Sequence, residues 1–190
     1  MRIKICGITR KEDAQVAENY GADAIGVVLS SDSPRSVTPE IAQEIFGSVG
    51  PFITKVAVTH TSSREDLDRI LALRPDAIQI SHPFEFEKKP GVRVIRVLGR
   101  GDSLREDCDA IIVDESHGKG KSFDVSRARD VVHLSRVPVI LAGGLTPRNV
   151  GEAIREVRPY AVDVASGVER SKGIKDDAKI QAFIAACRRA

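Results

Sequence analysis

The chain has 190 residues, of which 42% are hydrophobic and 29% charged, a balance that indicates a folded globular protein and excludes a disordered one. Its 29 basic and 27 acidic side chains nearly cancel, so no nucleic-acid-binding surface is predicted. No apolar run is long enough to cross a bilayer, and the opening MRIKICG does not resemble a signal peptide, so no membrane partner is expected. Cys6, Cys108 and Cys187 form no C-x-x-C pair, which argues against disulfides or a metal site and for a cytoplasmic location.

Short apolar runs recur along the chain, and helical patterns lie between most of them. The runs predict eight strands, at 3–6, 23–29, 53–59, 76–80, 92–98, 109–113, 137–141 and 161–165. Runs that are apolar on both faces are typical of parallel strands covered by helices.

A short sequence repeated at the start of several strands supports a closed arrangement. Asp-Ala-Ile begins the runs at 23, 76 and 109, and Tyr160-Ala-Val begins the last one, so the echo falls on the even-numbered strands. Inward side chains of a closed barrel are layered by alternate strands. An open doubly wound sheet would need fewer strands, and the G-x-G-x-x-G motif is absent. The sequence therefore predicts an α/β fold, a single compact (β/α)8 TIM barrel that forms one domain over residues 1–190.

Helix-start signals accompany several strands. Thr9 with Glu12 matches a capping box, while Thr38-Pro39 and Thr146-Pro147 match an N-cap followed by proline at the first helical position. The first predicted helix begins at Thr9. The others span 38–47, 63–73, 124–134, 146–157 and 176–188, with a short one at 83–89. Residues 99–108 leave room for little more than one turn, so the fifth helix is predicted to be short or missing.

Two strands near the end of the chain stop at small residues. The seventh ends at Gly143-Gly144 and the eighth at Ser166-Gly167. Glycine lets backbone amides approach a ligand closely, and barrels often bind phosphate after strands seven and eight, beside a short extra helix. We expect these loops to bind a phosphate group; the alternative is a pair of ordinary turns.

Chemistry in such barrels lies at the C-terminal ends of the strands. Cys6 ends the first strand and is either a reactive thiol, acting as base or nucleophile, or a small buried hydrophobe. Asp114 ends the sixth strand, where it meets a ligand or caps the next loop. Arg35, in a SPRS loop, suits a carboxylate or phosphate, although most loop arginines are merely solvated.

Other polar residues at strand ends are weaker candidates. Gln79 lies in the fourth strand and Asp163 in the eighth, and both are candidates for binding substrate. His82 is interpreted as a surface residue. The Gly- and Lys-rich loop at 117–124 is either a mobile lid that helps to hold an anion or a flexible connection.

Six motifs are spread along the whole chain: KICGIT at 4–9, GAD-IG at 21–26, SPR at 33–35, GKSFD at 120–124, AGGLTPRNV at 142–150 and VDVASGVE–KGIKD at 162–176. Together they resemble the motifs of the phosphoribosylanthranilate isomerase family of tryptophan biosynthesis. The resemblance implies a cofactor-independent Amadori rearrangement of N-(5-phosphoribosyl)anthranilate, with a small phosphosugar as substrate. It also implies that Cys6 is the general base and Asp114 the general acid.

The remaining candidates take substrate-binding roles under this resemblance. Arg35 suits the anthranilate carboxylate and Asp163 the substrate amine or a nearby polar contact, while the two glycine loops bind the phosphate. The chain departs from the family where Gln79-Ile-Ser-His82 replaces Q-L-H-G and Val58-Thr59-His60 replaces F-V-N, which affects the expected pocket for the aromatic ring.

Other functions and assemblies stay open. One alternative is another phosphosugar isomerase on the same barrel, such as the Amadori isomerase of histidine biosynthesis, whose acid–base pair is two carboxylates. A second alternative is a non-catalytic barrel that senses a phosphosugar. Either a monomer or a homodimer is compatible with the sequence.

Overall fold

A computed structural model describes residues 1–87, 90–99, 101–105, 107–114 and 124–190. Eight parallel strands form a closed barrel in chain order, and β8 pairs with β1 to complete it. The strands are β1 (Arg2–Cys6), β2 (Ala24–Leu29), β3 (Thr54–Thr59), β4 (Ala77–Ile80), β5 (Arg93–Leu98), β6 (Ala110–Val113), β7 (Val139–Leu141) and β8 (Ala161–Val164). The predicted (β/α)8 barrel is confirmed.

Six α-helices surround the barrel in the described residues. They are α1 (Lys11–Tyr20), α2 (Pro39–Gly47), α3 (Arg64–Ala72), α4 (Val125–Leu134), α5 (Val150–Val157) and α6 (Asp177–Arg189). The described part of 99–108 contains no helix, as predicted, whereas the helix predicted at 83–89 is wrong because residues 83–87 are not helical. None of the helices described is both long and apolar enough to span a membrane.

Two of the three Thr-based helix starts are wrong, and in both cases other contacts take the threonine. Thr38 caps α2 as predicted, accepting a hydrogen bond from the Ile41 amide at 3.4 Å. The Thr9 hydroxyl instead donates to the Gly173 carbonyl, and α1 begins at Lys11 without a side-chain cap. Thr146 opens a turn that the Asn149 side chain holds, because Asn149 Oδ1 accepts from the Thr146 amide at 2.7 Å, and α5 begins only at Val150.

The repeated Asp-Ala-Ile has a direct physical cause. Each aspartate lies just before an even-numbered strand, and its carboxylate accepts a hydrogen bond from the backbone of the preceding odd-numbered strand. Asp23 binds the Ile3 amide at 2.8 Å, Asp76 the Lys55 amide at 2.8 Å and Asp109 the Val94 amide at 2.9 Å. These bonds satisfy amides at the N-terminal end of the barrel, opposite to the end where barrel enzymes bind ligands.

The apolar core has two main layers. The layer inside the barrel contains small and β-branched residues from the strands, among them Val28, Val56, Val58, Ile95, Ile112, Ile140 and Ala161, and it includes Cys6. The outer layer lies between the barrel and the helices and holds the larger side chains, such as Phe183. Because successive strand residues face opposite sides, one face of each strand contributes to each layer.

The segment after β8 contains structure that the sequence did not predict. A short 3₁₀-helix, Ser166–Val168, leads to an antiparallel hairpin of β9 (Glu169–Ser171) and β10 (Ile174–Lys175). The hairpin is separate from the barrel sheet. It places Glu169 and Lys175, both buried, beside the C-terminal ends of β1 and β8.

Candidate active site

A buried lysine connects three strands inside the barrel. Lys4 lies two residues before Cys6 on β1, so the two side chains share a face. The Lys4 Nζ donates to Asp163 Oδ1 at 2.8 Å and to Gln79 Oε1 at 3.0 Å. The structure therefore joins Gln79 and Asp163, both predicted to bind substrate, through a residue that sequence reasoning missed.

Cys6 is buried at the end of β1, and Gly26 leaves the space that its side chain fills. A Cβ at position 26 would lie 2.8 Å from the Cys6 sulfur and 3.1 Å from the Lys4 Nζ. Burial raises the pKa of the Cys6 thiol, and the ammonium groups of Lys4 and Lys175 oppose that rise because they stabilise the thiolate. Burial prevails, so the pKa of the thiol lies above its usual value, with Asp163 adding to the rise.

Asp114 follows β6 directly, on the same strand face as Ala110 and Ile112 of the inner core layer. It is partly exposed, whereas Asp163 on β8 is buried. The pKa of Asp163 is raised, chiefly by burial. The Lys4 ammonium opposes this rise, and the negative charge of Asp114 adds to it. Two carboxylates thus interact at the C-terminal end of the barrel, one buried and one reached by solvent.

Arg35 is held by Glu169 in a two-pronged ion pair. Its Nε and Nη2 donate to the two carboxylate oxygens of Glu169, each at 2.7 Å. Burial favours the neutral acid, but the Arg35 hydrogen bonds and the Lys175 charge outweigh burial and lower the pKa of Glu169. Gly7, with φ of 72°, is needed here because a Cβ would lie 2.5 Å from the Arg35 Cδ. The arginine stem therefore crosses the backbone immediately after Cys6.

Lys175 connects the hairpin to the ends of β1 and β8. Its Nζ donates to the Cys6 carbonyl at 2.6 Å, the Ala165 carbonyl at 3.0 Å and Glu169 Oε1 at 3.1 Å. An ammonium group has three donors, so all of them are satisfied. Sequence reasoning also missed Lys175 and Glu169, although both lie in the SGVE–KGIKD stretch that carries the family resemblance.

The two glycine loops contact each other. A Cβ on Gly167 would lie 1.9 Å from the Leu145 carbonyl oxygen, so only glycine permits this approach. Gly143 and Gly144 have φ values of 94° and 62°, which glycine adopts without strain. Ser166 and Gly167 begin the 3₁₀-helix, whose first amides have no acceptor within the helix. This geometry suits an anion.

The remaining candidates lie outside this cluster. His82 is exposed, as interpreted, and its ring packs edge-on against Phe84 with centroids 4.6 Å apart. The loop at 117–124, interpreted as either a lid or a flexible connection, lies outside the described residues apart from Asp124, which caps α4. Within the described ranges no group of three His, Cys, Asp or Glu side chains is arranged to hold a metal ion.

Comparisons with known proteins agree over the whole chain. Residues 3–186 match the family described as N-(5'-phosphoribosyl)anthranilate (PRA) isomerase. An N-(5'-phosphoribosyl)anthranilate isomerase of Methanoregula boonei is 67% identical over 191 residues, covering 100% of this chain and 98% of the relative. The crystal structure of phosphoribosyl anthranilate isomerase from Thermus thermophilus superposes with a TM-score of 0.87 at 34% identity, covering 100% of this chain and 99% of that one. Another solved isomerase, in complex with reduced 1-(o-carboxyphenylamino)-1-deoxyribulose 5-phosphate, has a TM-score of 0.84 at 32% identity, with 100% of both chains covered.

The closed barrel and its likeness to solved isomerases over the whole chain identify a (β/α)8-barrel isomerase. The matches narrow this class to one family. The chain belongs to the N-(5'-phosphoribosyl)anthranilate isomerase family.

Proposed function

We propose that this chain catalyses the Amadori rearrangement of N-(5-phosphoribosyl)anthranilate to 1-(2-carboxyphenylamino)-1-deoxy-D-ribulose 5-phosphate, a step of L-tryptophan biosynthesis. The observation that carries the proposal is a thiol placed among buried cations at the end of β1 in a chain of this family. The bound compound of the solved relative is a reduced form of the product proposed here, which supports the same substrate class.

Cys6 and Asp114 are the proposed base and acid. Asp114 donates a proton to the ring oxygen as its bond to the anomeric carbon breaks, which leaves a protonated imine. The Cys6 thiolate then removes a proton from the neighbouring carbon, the electron pair moves toward nitrogen, and the resulting enolamine tautomerises to the ketone. The two groups come from β1 and β6, so they can act on different atoms of one substrate.

The proposed binding contacts use the surrounding polar groups. Arg35 faces the anthranilate carboxylate with the part of its guanidinium that Glu169 does not engage, because Glu169 binds only Nε and Nη2. Asp163 binds the amine side of the substrate. Gln79 contributes to the same contact, because Lys4 donates hydrogen bonds to both Gln79 and Asp163. The loops at Gly143-Gly144 and Ser166-Gly167 bind the phosphate.

One assay tests the proposal. Phosphoribosylanthranilate is made in situ from anthranilate and a phosphoribosyl donor, and the loss of its fluorescence is followed on adding the protein. We expect turnover without an added metal or cofactor. No loss of fluorescence above the uncatalysed rate would overturn the proposed function. The single-domain organisation over 1–190, the cytoplasmic location and the choice between monomer and homodimer stay predictions from the sequence.

A further inference from the structure

The hairpin after β8 carries two buried charged residues that the proposed chemistry does not use. Lys175 is 1% exposed and Glu169 8% exposed, and they form an ion pair at 3.1 Å. Burying two charges costs free energy that their mutual attraction seldom exceeds by much, so such a pair is weak evidence for a purely stabilising role. What the pair contacts is more informative than the pair itself.

Both ends of the pair terminate on proposed catalytic or binding residues. At one end, Lys175 Nζ donates to the carbonyl of Cys6 at 2.6 Å. At the other end, Glu169 accepts two hydrogen bonds from Arg35, each at 2.7 Å. A continuous path of short, charge-assisted bonds thus runs from the backbone of the base to the guanidinium of the substrate clamp.

We propose that Lys175 and Glu169 are positioning residues, which fix the Cys6 thiol and the Arg35 guanidinium relative to each other. This proposal rests on the proposed function, because it assumes that Cys6 and Arg35 act on one substrate. Lys175 also binds the Ala165 carbonyl at 3.0 Å, so it fixes the end of β1 against the end of β8. Small displacements of such groups are costly in catalysis, since reacting atoms must approach in a defined geometry.

Lys175 has an electrostatic effect as well as a geometric one. The charged groups that act on Cys6 are Lys4 from β1, Asp163 from β8, Lys175 from β10 and Arg35 from the loop after β2. Of these, Lys175 adds a positive charge that favours the thiolate and lowers the pKa of Cys6. Removing this charge should raise the pH at which Cys6 becomes a base.

The experiment compares Lys175→Met and Glu169→Gln with Lys172→Met, all as full-length protein. Met keeps most of the length of the lysine side chain without its charge, and Gln keeps the shape of Glu. Lys172 lies in the turn of the same hairpin but is exposed, so it is the matched control. Thermal unfolding shows that each variant is folded before kcat, KM and the pH dependence of kcat/KM are measured.

We expect Lys175→Met to lower kcat/KM at least about tenfold, since a misplaced base forfeits part of the 10²–10⁴-fold that it contributes. The acidic limb of its pH profile should move to higher pH, because the loss of a nearby positive charge disfavours the thiolate. We expect Glu169→Gln to raise KM roughly tenfold with a smaller change in kcat, because Arg35 is no longer held ready for the substrate. Lys172→Met should match the parent protein in all three quantities.

Several outcomes would overturn the positioning role. One is a folded Lys175→Met protein with parental kcat, KM and pH dependence. Another is a loss of activity that only follows the folded fraction and leaves the pH dependence unchanged. A lower KM in Glu169→Gln would mean that Glu169 competes with the substrate for Arg35. If Lys175→Met does not fold, Glu169→Gln alone tests the positioning role, through a KM that rises more than kcat changes.

A second measurement separates this proposal from the proposed function. The rate at which iodoacetamide alkylates Cys6 is followed against pH by peptide mapping, which requires no turnover. The midpoint should shift upward in Lys175→Met and stay unchanged in Lys172→Met. If the parent protein does not isomerise phosphoribosylanthranilate, the shift in Lys175→Met still supports the coupling of Lys175 to Cys6, and its absence rejects that coupling.

Discussion

Two sides of the barrel differ in how their polar groups are held. Beside β8, β1 and β2, buried charges bind partners far away in the chain, as Arg35 and Glu169 do across 134 positions. Beside β5 and β6, Arg105 binds Asp107 two positions away, and both side chains are over 40% exposed, at 42% and 49%. Arg96 of β5 is the exception on this side. Its Nη2 donates to the Phe84 carbonyl at 2.7 Å and to Asp107 at 2.8 Å, while its buried Nε has no hydrogen-bond partner in the described residues.

This difference indicates where the relative positions of the strands are most strongly constrained. A long-range buried ion pair holds only if several strands keep their relative positions, whereas a local exposed pair forms in many conformations. The side that contains the proposed base and substrate clamp is the long-range one. The proposed acid, Asp114, follows β6 on the other side, so the proposed reaction uses groups from both sides.

The strongest test removes one proposed catalytic group from each side. Cys6→Ser and Asp114→Asn should each lower kcat by about 10²–10⁴-fold with little change in substrate affinity, the usual range for a positioned acid or base. Both substitutions nearly preserve volume, so a packing role predicts parental turnover. The fluorescence assay measures the effect, and full turnover in both variants would remove the acid–base proposal.

A matched pair of arginines tests the comparison directly. Arg35 and Arg105 each bind a carboxylate through Nε and Nη2, but only Arg35 is largely buried. Arg35→Lys keeps the positive charge but loses the planar guanidinium that makes two parallel hydrogen bonds. A lost hydrogen bond between charged groups costs about 1.5–3 kcal/mol. We expect kcat/KM to fall by roughly 10–100-fold in Arg35→Lys and to stay unchanged in Arg105→Lys. Equal kinetics in the two variants would show that burial does not distinguish the two sides.

The contact between the glycine loops gives a smaller effect. In Gly167→Ala the new methyl group collides with the Leu145 carbonyl, and such overpacking costs about 1–3 kcal/mol. We expect urea unfolding to show this loss, together with a raised KM if the loops bind phosphate. Gly47→Ala is the control, because nothing lies within 4 Å of the added Cβ and alanine favours the helix by up to about 1 kcal/mol. A Gly167→Ala protein with parental stability and KM would contradict the loop geometry.

The smallest effect belongs to the exposed side. Arg105→Ala removes a surface ion pair with Asp107 and should change the free energy of unfolding by no more than about 0.5–1 kcal/mol. Neither kcat nor KM should change. Urea unfolding and the fluorescence assay measure both quantities, and a tenfold kinetic effect would mean that this side also positions the substrate.

The fold was largely readable because each barrel strand is a compact apolar run. The hairpin β9–β10 was not predicted, because its strands are short and charged. It also turns at Gly173, whose φ of 79° cannot be inferred from the sequence pattern. The capping box at Thr9 was wrong because that hairpin draws the threonine hydroxyl to Gly173. Local rules thus failed where a distant segment competes for the same atoms.

The site was readable only in part, for the same reason. Cys6 and Asp114 could be chosen because they follow apolar strands, where barrel enzymes place their chemistry. Lys4 had a usable signal, a charge inside an apolar strand two residues before Cys6 and therefore on its face. The pairing of Arg35 with Glu169 had none, because no local pattern links residues that far apart.

The bond between Lys175 and Cys6 has a consequence for how the protein is made. Cys6 leaves the ribosome 169 positions before the lysine that holds its carbonyl. Until that lysine is synthesised, β1 also lacks its β8 neighbour, and pairings of such high sequence separation are slow to form. A nascent barrel that already has its early strands and helices therefore has the Cys6 thiol without the contact that fixes it, so under the proposed mechanism full activity requires nearly complete folding. Turnover is consequently a stricter measure of correct folding in this protein than its helix content.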